Sequence, residues 1–166
     1  MMTSDRTIRW IENLAEQELL IKSGEKSSID ISTTKEEVLS VETGNFVQDL
    51  LHQFEYLVRL FNSRVDSDGL QIKLVRGSDS GSGFSLIRNR MKLTLSAPSP
   101  GRIQLGCMKI VEEGAAMPPK TTVMFTGVIE SEFGTFHDVE WYFLGAKVGA
   151  EQVARHYLTE FIQASR

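Results

Sequence analysis

The sequence predicts an α+β domain in which a single antiparallel sheet of about five strands packs against helices. Apolar residues recur at helical spacing up to residue 65, and from residue 70 onward they alternate as they do in a β-strand. The segments between the alternating stretches are short and rich in Gly, Pro or Ser. Such connections are typical of hairpins, and therefore of strands that follow one another as an antiparallel meander.

The N-terminal part is predicted to begin with a helix from Thr3 to Lys22, because its apolar residues recur at helical spacing and a Ser-Gly pair follows. Residues 24–32 are polar except for two alternating isoleucines, which indicates a short edge strand and a sixth member of the sheet. We expect one domain over residues 1–166, with residues 1–32 as an N-terminal arm.

Two helices are predicted between this arm and the sheet. Overlapping capping boxes at Thr33 and Thr34 indicate a short helix over residues 35–41. A longer helix is predicted over residues 45–65, where eight apolar side chains, three of them phenylalanines, fall on one face. This apolar face predicts that the long helix packs across the sheet.

The alternating region predicts five strands and ends in a third long helix. The strands are Leu70–Arg76, Phe84–Ser96, Arg102–Val111, Thr121–Glu130 and Thr135–Leu144. A C-terminal helix over residues 149–165 carries a second apolar stripe. The pattern favours a sheet whose inner face is covered by helices and whose outer face is polar.

Bulk composition excludes several protein classes. An apolar content of 41% with 24% charged residues is ordinary for a globular chain of 166 residues. The single cysteine, Cys107, cannot form an internal disulfide, which favours a reducing compartment. No apolar run approaches the roughly eighteen residues of a membrane span. The first residues lead into an amphipathic stretch with no continuous apolar segment, so we do not expect a secretory signal. We therefore expect a cytoplasmic protein with no membrane span.

The charge distribution is the most informative feature for function. The net charge is −4, yet residues 70–111 carry seven basic side chains and one acidic side chain. Both flanking regions are acidic. A basic block of this kind marks an anion-binding surface, or it is neutralised by acidic residues of the same molecule.

Alternation along Phe84–Ser96 assigns the basic residues to one face of the predicted strand. Arg88, Arg90 and Lys92 share a face, which is expected to point outward because the alternate positions are mostly apolar. The predicted binding residues are Lys73, Arg76, Arg88, Arg90, Lys92, Arg102 and Tyr142. The alternative is that Glu130, Asp138, Glu140 or an acidic helix of the same molecule pairs with these cations.

The leading hypothesis is a non-enzymatic protein-binding or assembly module that uses this basic face. Its expected partner is an acidic protein or a second copy of the chain in a homodimer. Nucleic acid is disfavoured, because Phe84 and Tyr142 are the only rings expected near the basic residues. No cluster of residues has the spacing of a metal site, and no cofactor is predicted.

Two alternatives stay open. A small-molecule or lipid-binding domain would have a cavity between the sheet and the C-terminal helix, lined by Met91, Phe125, Trp141 and Phe161. An enzyme of unrecognised type could pair Cys107 with His137, because both are expected on the inner face of the sheet.

The predicted helices and strands resemble those of two known classes of domain. A strand, helices, a run of antiparallel strands and a final long helix resembles the helix-grip order of lipid-binding START-like domains. The size, the acidity and the helices beside an antiparallel sheet resemble secretion chaperones of the type III class. Neither resemblance brings a residue motif to this chain, and the helix that the chaperones have between their third and fourth strands is missing here.

Overall fold

A computed structural model describes residues 4–22, 31–77, 83–111, 120–136 and 138–166. The chain divides into two compact units, Met1–Val38 and Leu39–Arg166. In chain order the elements are α1 (Asp5–Lys22), α2 (Ile31–Arg64), β1 (Lys73–Arg76), β2 (Phe84–Arg88), β3 (Met91–Ser99), β4 (Arg102–Val111), β5 (Lys120–Phe133), β6 (Val139–Phe143), β7 (Ala146–Lys147) and α3 (Ala150–Ala164). The predicted α+β class is confirmed, whereas the N-terminal arm stays a prediction.

The seven strands form one antiparallel sheet in the order β1 to β7, so each strand pairs with its neighbours in the chain. Short connections favour this arrangement, because only antiparallel neighbours can be joined by tight turns. The prediction of about five strands is compatible with this sheet. The predicted last strand, Thr135–Leu144, forms β6 over Val139–Phe143, and the two-residue β7 follows it.

Helix α2 crosses the inner face of the sheet. Its Phe46 ring stacks on Trp141 of β6 at a centroid distance of 4.7 Å, and its Phe54 ring lies 5.2 Å from that of Phe84 in β2. Phe54 is fully buried, so it stabilises the fold by about 2–3 kcal/mol relative to an exposed ring. The phenylalanine stripe of the predicted long helix therefore forms the centre of the core.

Helix α3 covers the inner face beside α2. Its Tyr157 ring packs edge-on against Phe143 of β6 at a centroid distance of 5.6 Å. At its other end, the carbonyl oxygen of Ser165 accepts a hydrogen bond of 2.7 Å from Nδ2 of Asn89, beside β2. The helix therefore runs from the β6 side of the sheet towards the β2–β3 connection. None of the described helices is long and apolar enough to cross a membrane.

The prediction of separate helices over residues 35–41 and 45–65 is wrong, because α2 runs unbroken over Ile31–Arg64. Gly44 lies at the expected break, but a glycine inside a helix costs only about 1 kcal/mol relative to alanine. The Thr43 hydroxyl donates a hydrogen bond of 2.6 Å to the carbonyl oxygen of Leu39, which lies one turn earlier in the same helix. Of the predicted edge strand, residues 24–30 lie outside the described residues, and Ile31 and Ser32 belong to α2.

The predicted strand Phe84–Ser96 is also wrong, because it is a hairpin of β2 and β3. The turn consists of Asn89 and Arg90, whose φ angles of 50° and 64° are both positive. A two-residue turn with two positive φ angles is the type I′ geometry that suits the twist of hairpins, and asparagine tolerates it well. Arg88 and Met91 are partners across the turn, so they lie on the same face of the sheet.

Candidate functional site

The hairpin places the predicted cations Arg88, Arg90 and Lys92 in three different environments. Arg88 is buried at 6% exposure on the inner face, Arg90 is exposed in the turn, and Lys92 lies half-buried on the outer face. The predicted common face for these three residues is therefore wrong. A two-residue turn reverses the order of inward and outward positions, and the sequence pattern continues through it without a visible break.

Arg88 packs as a cation inside the core. Its guanidinium carbon lies 5.6 Å from the centroid of the Phe61 ring in α2, within reach of a cation–π interaction. Among the described residues, its Nε and Nη1 have no hydrogen-bond partner. The adjacent Asn89 binds the Ser165 carbonyl at the end of α3, where a helix carries partial negative charge. These contacts give Arg88 a structural position and remove it from any surface that a partner could touch.

Two other predicted cations are paired inside the molecule. Arg76 at the end of β1 donates from Nε to Oε1 of Glu55 in α2 at 2.8 Å, and its Nη2 contacts the same oxygen. Nη1 of Arg102 lies 3.9 Å from Oε1 of Glu130 on the next strand. Both arginines are largely exposed, so each pair contributes only about 0–1 kcal/mol. These two arginines of the basic block are therefore neutralised inside the molecule, Arg102 by Glu130 and Arg76 by a carboxylate of helix α2, as the sequence allowed.

The Tyr142 hydroxyl also has a partner within the sheet. It donates to Oε2 of Glu140 at 2.8 Å, and Nζ of Lys147 donates to Oε1 of the same carboxylate at 3.1 Å. The hydrogen bond from Tyr142, followed by the one from Lys147, lowers the pKa of the Glu140 carboxyl group. The hydrogen bond to Glu140 in turn raises the pKa of Tyr142. Tyr142 therefore stabilises the β6–β7 edge.

Lys73 and Lys92 also lie on the outer face of the sheet. Neither has an ion-pair partner in the part of the chain that the structure describes. They are separated by Ile87, because Lys73 pairs with Ile87 and Ile87 pairs with Lys92 in neighbouring strands. The strand spacing of about 4.8 Å places the two lysines roughly 10 Å apart.

A continuous row of side chains extends from these lysines across the outer face. We call this set the outer row; it consists of Lys73, Ile87, Lys92, Met108 and Val123, one residue from each of β1 to β5. Ile87 is 36% and Val123 61% exposed, and Val75 beside the row is 40% exposed. A side chain at Gly106, next to the row, would meet no atom within 4 Å. These positions are therefore exposed, and the outer row combines aliphatic surface with positive charge.

The exposed aliphatic side chains of the outer row are candidate binding residues that the sequence pattern did not place on this face. Uninterrupted alternation along Phe84–Ser96 would place Ile87 on the same face as Met91, but the turn places Ile87 opposite Lys92 on the outer face. Asn89 is the signal that could have revealed the turn, since asparagine is enriched among residues with positive φ.

The residues of the alternative hypotheses lie in the core or outside the described residues. Cys107 is fully buried, and burial raises the pKa of its thiol to about 11, so the thiol is protonated at neutral pH. His137, its expected partner, lies outside the described residues. Among the residues that the structure describes, no group of three or more His, Cys, Asp and Glu side chains could hold a metal ion.

Two concave surfaces formed by the described residues are not lined by the residues expected around a ligand cavity, Met91, Phe125, Trp141 and Phe161. One is an open groove of about 570 Å³ between α2 and the edge strand β1. The other is a shallow depression of about 390 Å³ on the surface of α3. The lipid or small-molecule site therefore stays a prediction, and neither of these two surfaces corresponds to it.

Comparisons of the chain with protein-family models, with curated proteins and with solved structures found no match.

Proposed function

We propose that the chain is a protein-binding module that holds an acidic protein partner on the outer face of its sheet. The observation that supports this function is the outer row, in which exposed aliphatic side chains alternate with lysines that have no ion-pair partner among the described residues. Exposed apolar groups that adjoin one another favour a contact with another macromolecule, because burying them removes apolar surface from water.

The two kinds of side chain have different roles in this proposal. Ile87 and Val123 supply apolar area, which provides most of the affinity of protein interfaces. Lys73 and Lys92 supply positive potential, which increases the association rate and selects for acidic partners. The lysine stems also cover apolar surface while their ammonium groups stay in water.

A second copy of the chain is the alternative occupant of this face. The β5–β7 half of the outer face carries Glu130, Glu132 and Glu140, so two outer faces stacked in opposite directions would bring carboxylates near lysines. However, Glu130 already pairs with Arg102, and Glu140 already pairs with Lys147. Of the three carboxylates, the exposed Glu132 is the one that lacks an ion-pair partner in the described part of the chain. This pairing favours an acidic partner other than the chain itself.

Reversal of the two lysine charges tests the proposal. The Lys73→Glu, Lys92→Glu double variant is expected to reduce capture of the wild-type partner by at least about tenfold, or ~1.4 kcal/mol, because like charges then face the acidic surface. Capture is measured by quantitative pull-down from cells of the source organism, with light scattering to detect self-association.

The matched control is the Arg64→Glu, Arg155→Glu double variant, which makes the same change in net charge at exposed positions of α2 and α3. This control is expected to keep the partner. Equal capture by both double variants, with both folded by circular dichroism, would remove the outer face from consideration. Loss of a dimer in the lysine variant alone would identify the partner as a second copy.

A further inference from the structure

The edge strand β1 has backbone hydrogen-bonding groups that point away from the sheet. The Gly77 N–H donates to the Gly83 carbonyl oxygen at 2.9 Å, which identifies this pair as hydrogen-bonded in the β1–β2 ladder. Since such pairs alternate along antiparallel strands, Lys73 and Val75 also bond to β2. The N–H and C=O groups of Leu74 and Arg76 therefore point outward, towards the open edge.

The side chain of Asn62 shows how a partner can occupy this edge. Its Nδ2 donates to the carbonyl oxygen of Ile72 at 2.9 Å, and its Oδ1 accepts from the N–H of Ile72 at 2.8 Å. An amide side chain in α2 thus makes the pair of bonds that a neighbouring strand would make. The next two outward-facing residues, Leu74 and Arg76, have no equivalent backbone partner in the described part of the chain.

An open groove lies beside the same edge. It has a volume of about 570 Å³. Its walls are side chains of α2, of β1 and of the residue just before β1. The lining residues are Glu55, Val58, Arg59, Asn62, Ile72, Leu74 and Arg76. A groove between a helix and an edge strand fits an extended peptide, whose backbone pairs with the strand while alternate side chains enter the groove.

The charge around this edge favours one kind of added strand over another. Arg59, Lys73 and Arg76 are positive and Glu55 is negative, so the edge carries a net charge of about +2 from these four side chains. Pairing β1 with β1 of a second copy would bring Lys73 and Arg76 of both copies together, and like charges on adjacent strands are destabilising. An extended segment with acidic side chains is complementary to the edge.

We infer that β1 receives an extended acidic segment of the protein partner, which adds to the sheet as an eighth strand. This inference rests on the proposed function and specifies the form of the partner that the outer face recognises. Side chains of the added strand that point outward would lie next to Lys73 and Val75, and would continue the outer row by one position. Those that point inward would enter the groove beside Leu74.

A peptide selection tests the inference. The probe is a phage-displayed library of random twelve-residue peptides, selected on the full-length protein. Enriched peptides are expected to alternate acidic and β-branched residues and to lack proline, because proline cannot donate to a ladder. Binding to the Leu74→Pro variant is expected to fall at least tenfold, since proline removes the outward N–H without removing a bond to β2.

The Leu74→Val variant is the control, because it keeps the N–H and is expected to bind the peptides as the wild type does. A second measurement does not depend on the fold of a variant: selected peptides are synthesised with N-methyl groups on alternate residues. Methylation of the odd-numbered peptide residues and methylation of the even-numbered ones are the two methylation phases. One of them should abolish binding and the other should preserve it, because only every second amide of the peptide bonds to β1.

Absence of enriched peptides, equal binding to Leu74→Pro and wild type, or equal effects of the two methylation phases would overturn strand addition. If any of these occurred while the Lys73→Glu, Lys92→Glu variant still lost its protein partner, the proposed function would stand and only the inferred form of the partner would fail.

Discussion

Replacement of Arg88 by glutamate is expected to lower the free energy of unfolding by about 3–5 kcal/mol. The side chain is 6% exposed and packs against the ring of Phe61. A carboxylate there would be a buried charge, and it would face the negative side of the aromatic ring. Chemical denaturation followed by circular dichroism measures the effect.

Two control variants separate the buried charge from the loss of an arginine. Arg88→Met keeps a long apolar side chain against Phe61 and removes a guanidinium group whose Nε and Nη1 lack partners in the described part of the chain. It is expected to change stability by less than about 1.5 kcal/mol. Arg90→Glu changes an exposed cation in the same turn, with an expected effect within about 0.5 kcal/mol. Equal stability of Arg88→Glu and Arg90→Glu would contradict the inward position of Arg88.

Replacement of Gly127 in β5 by alanine is expected to cost about 3 kcal/mol, at the upper end of the range for overpacked cores. The added Cβ would lie 1.6 Å from Oη of Tyr157 and 2.7 Å from its Cζ. Tyr157 is buried and cannot move away, because its ring packs against those of Phe125 and Phe143. The effect is measured as the shift of the denaturation midpoint.

The matched control is Gly106→Ala in the adjacent strand, where the new methyl group would meet no atom within 4 Å. This change is expected to alter stability by less than about 0.5 kcal/mol. The Tyr157→Phe variant should be as stable as the wild type, because the hydroxyl is buried without a hydrogen-bond partner among the described residues. In the Gly127→Ala background it should recover part of the loss. A Gly127→Ala protein as stable as Gly106→Ala would show that α3 does not lie over β5 as described.

The alternation of apolar residues was sufficient to predict the class of the fold. It identified β4 with its observed ends, Arg102 and Val111, and it located the sheet after the long helix. Hydrophobic periodicity carries this information because one face of each strand is buried under helices. The same signal was misleading at Asn89, because a two-residue turn inverts the phase of the alternation without interrupting it.

The candidate site was less predictable than the fold, for two physical reasons. The inverted phase moved Arg88 into the core and Ile87 onto the outer face, so the composition of that face could not be read from the strand pattern. The ion pair between Arg76 and Glu55 joins residues that are 21 positions apart in the sequence. Which acids neutralise which bases depends on the packing of α2 against β1, and no local pattern encodes that contact. Lys73 and Lys92 remain as the part of the predicted surface that the proposals use.

Site-specific photocrosslinking shows whether the outer face binds a partner, because it reports which surface touches that partner. A benzophenone amino acid is placed either at Thr126, exposed on the outer face, or at Thr159, exposed on α3. The proposed function predicts a crosslink to a protein partner from position 126 but not from position 159, and loss of that crosslink in the Lys73→Glu, Lys92→Glu background. A crosslink to the same partner from position 159 alone, or one from position 126 that survives the charge reversal, would contradict it.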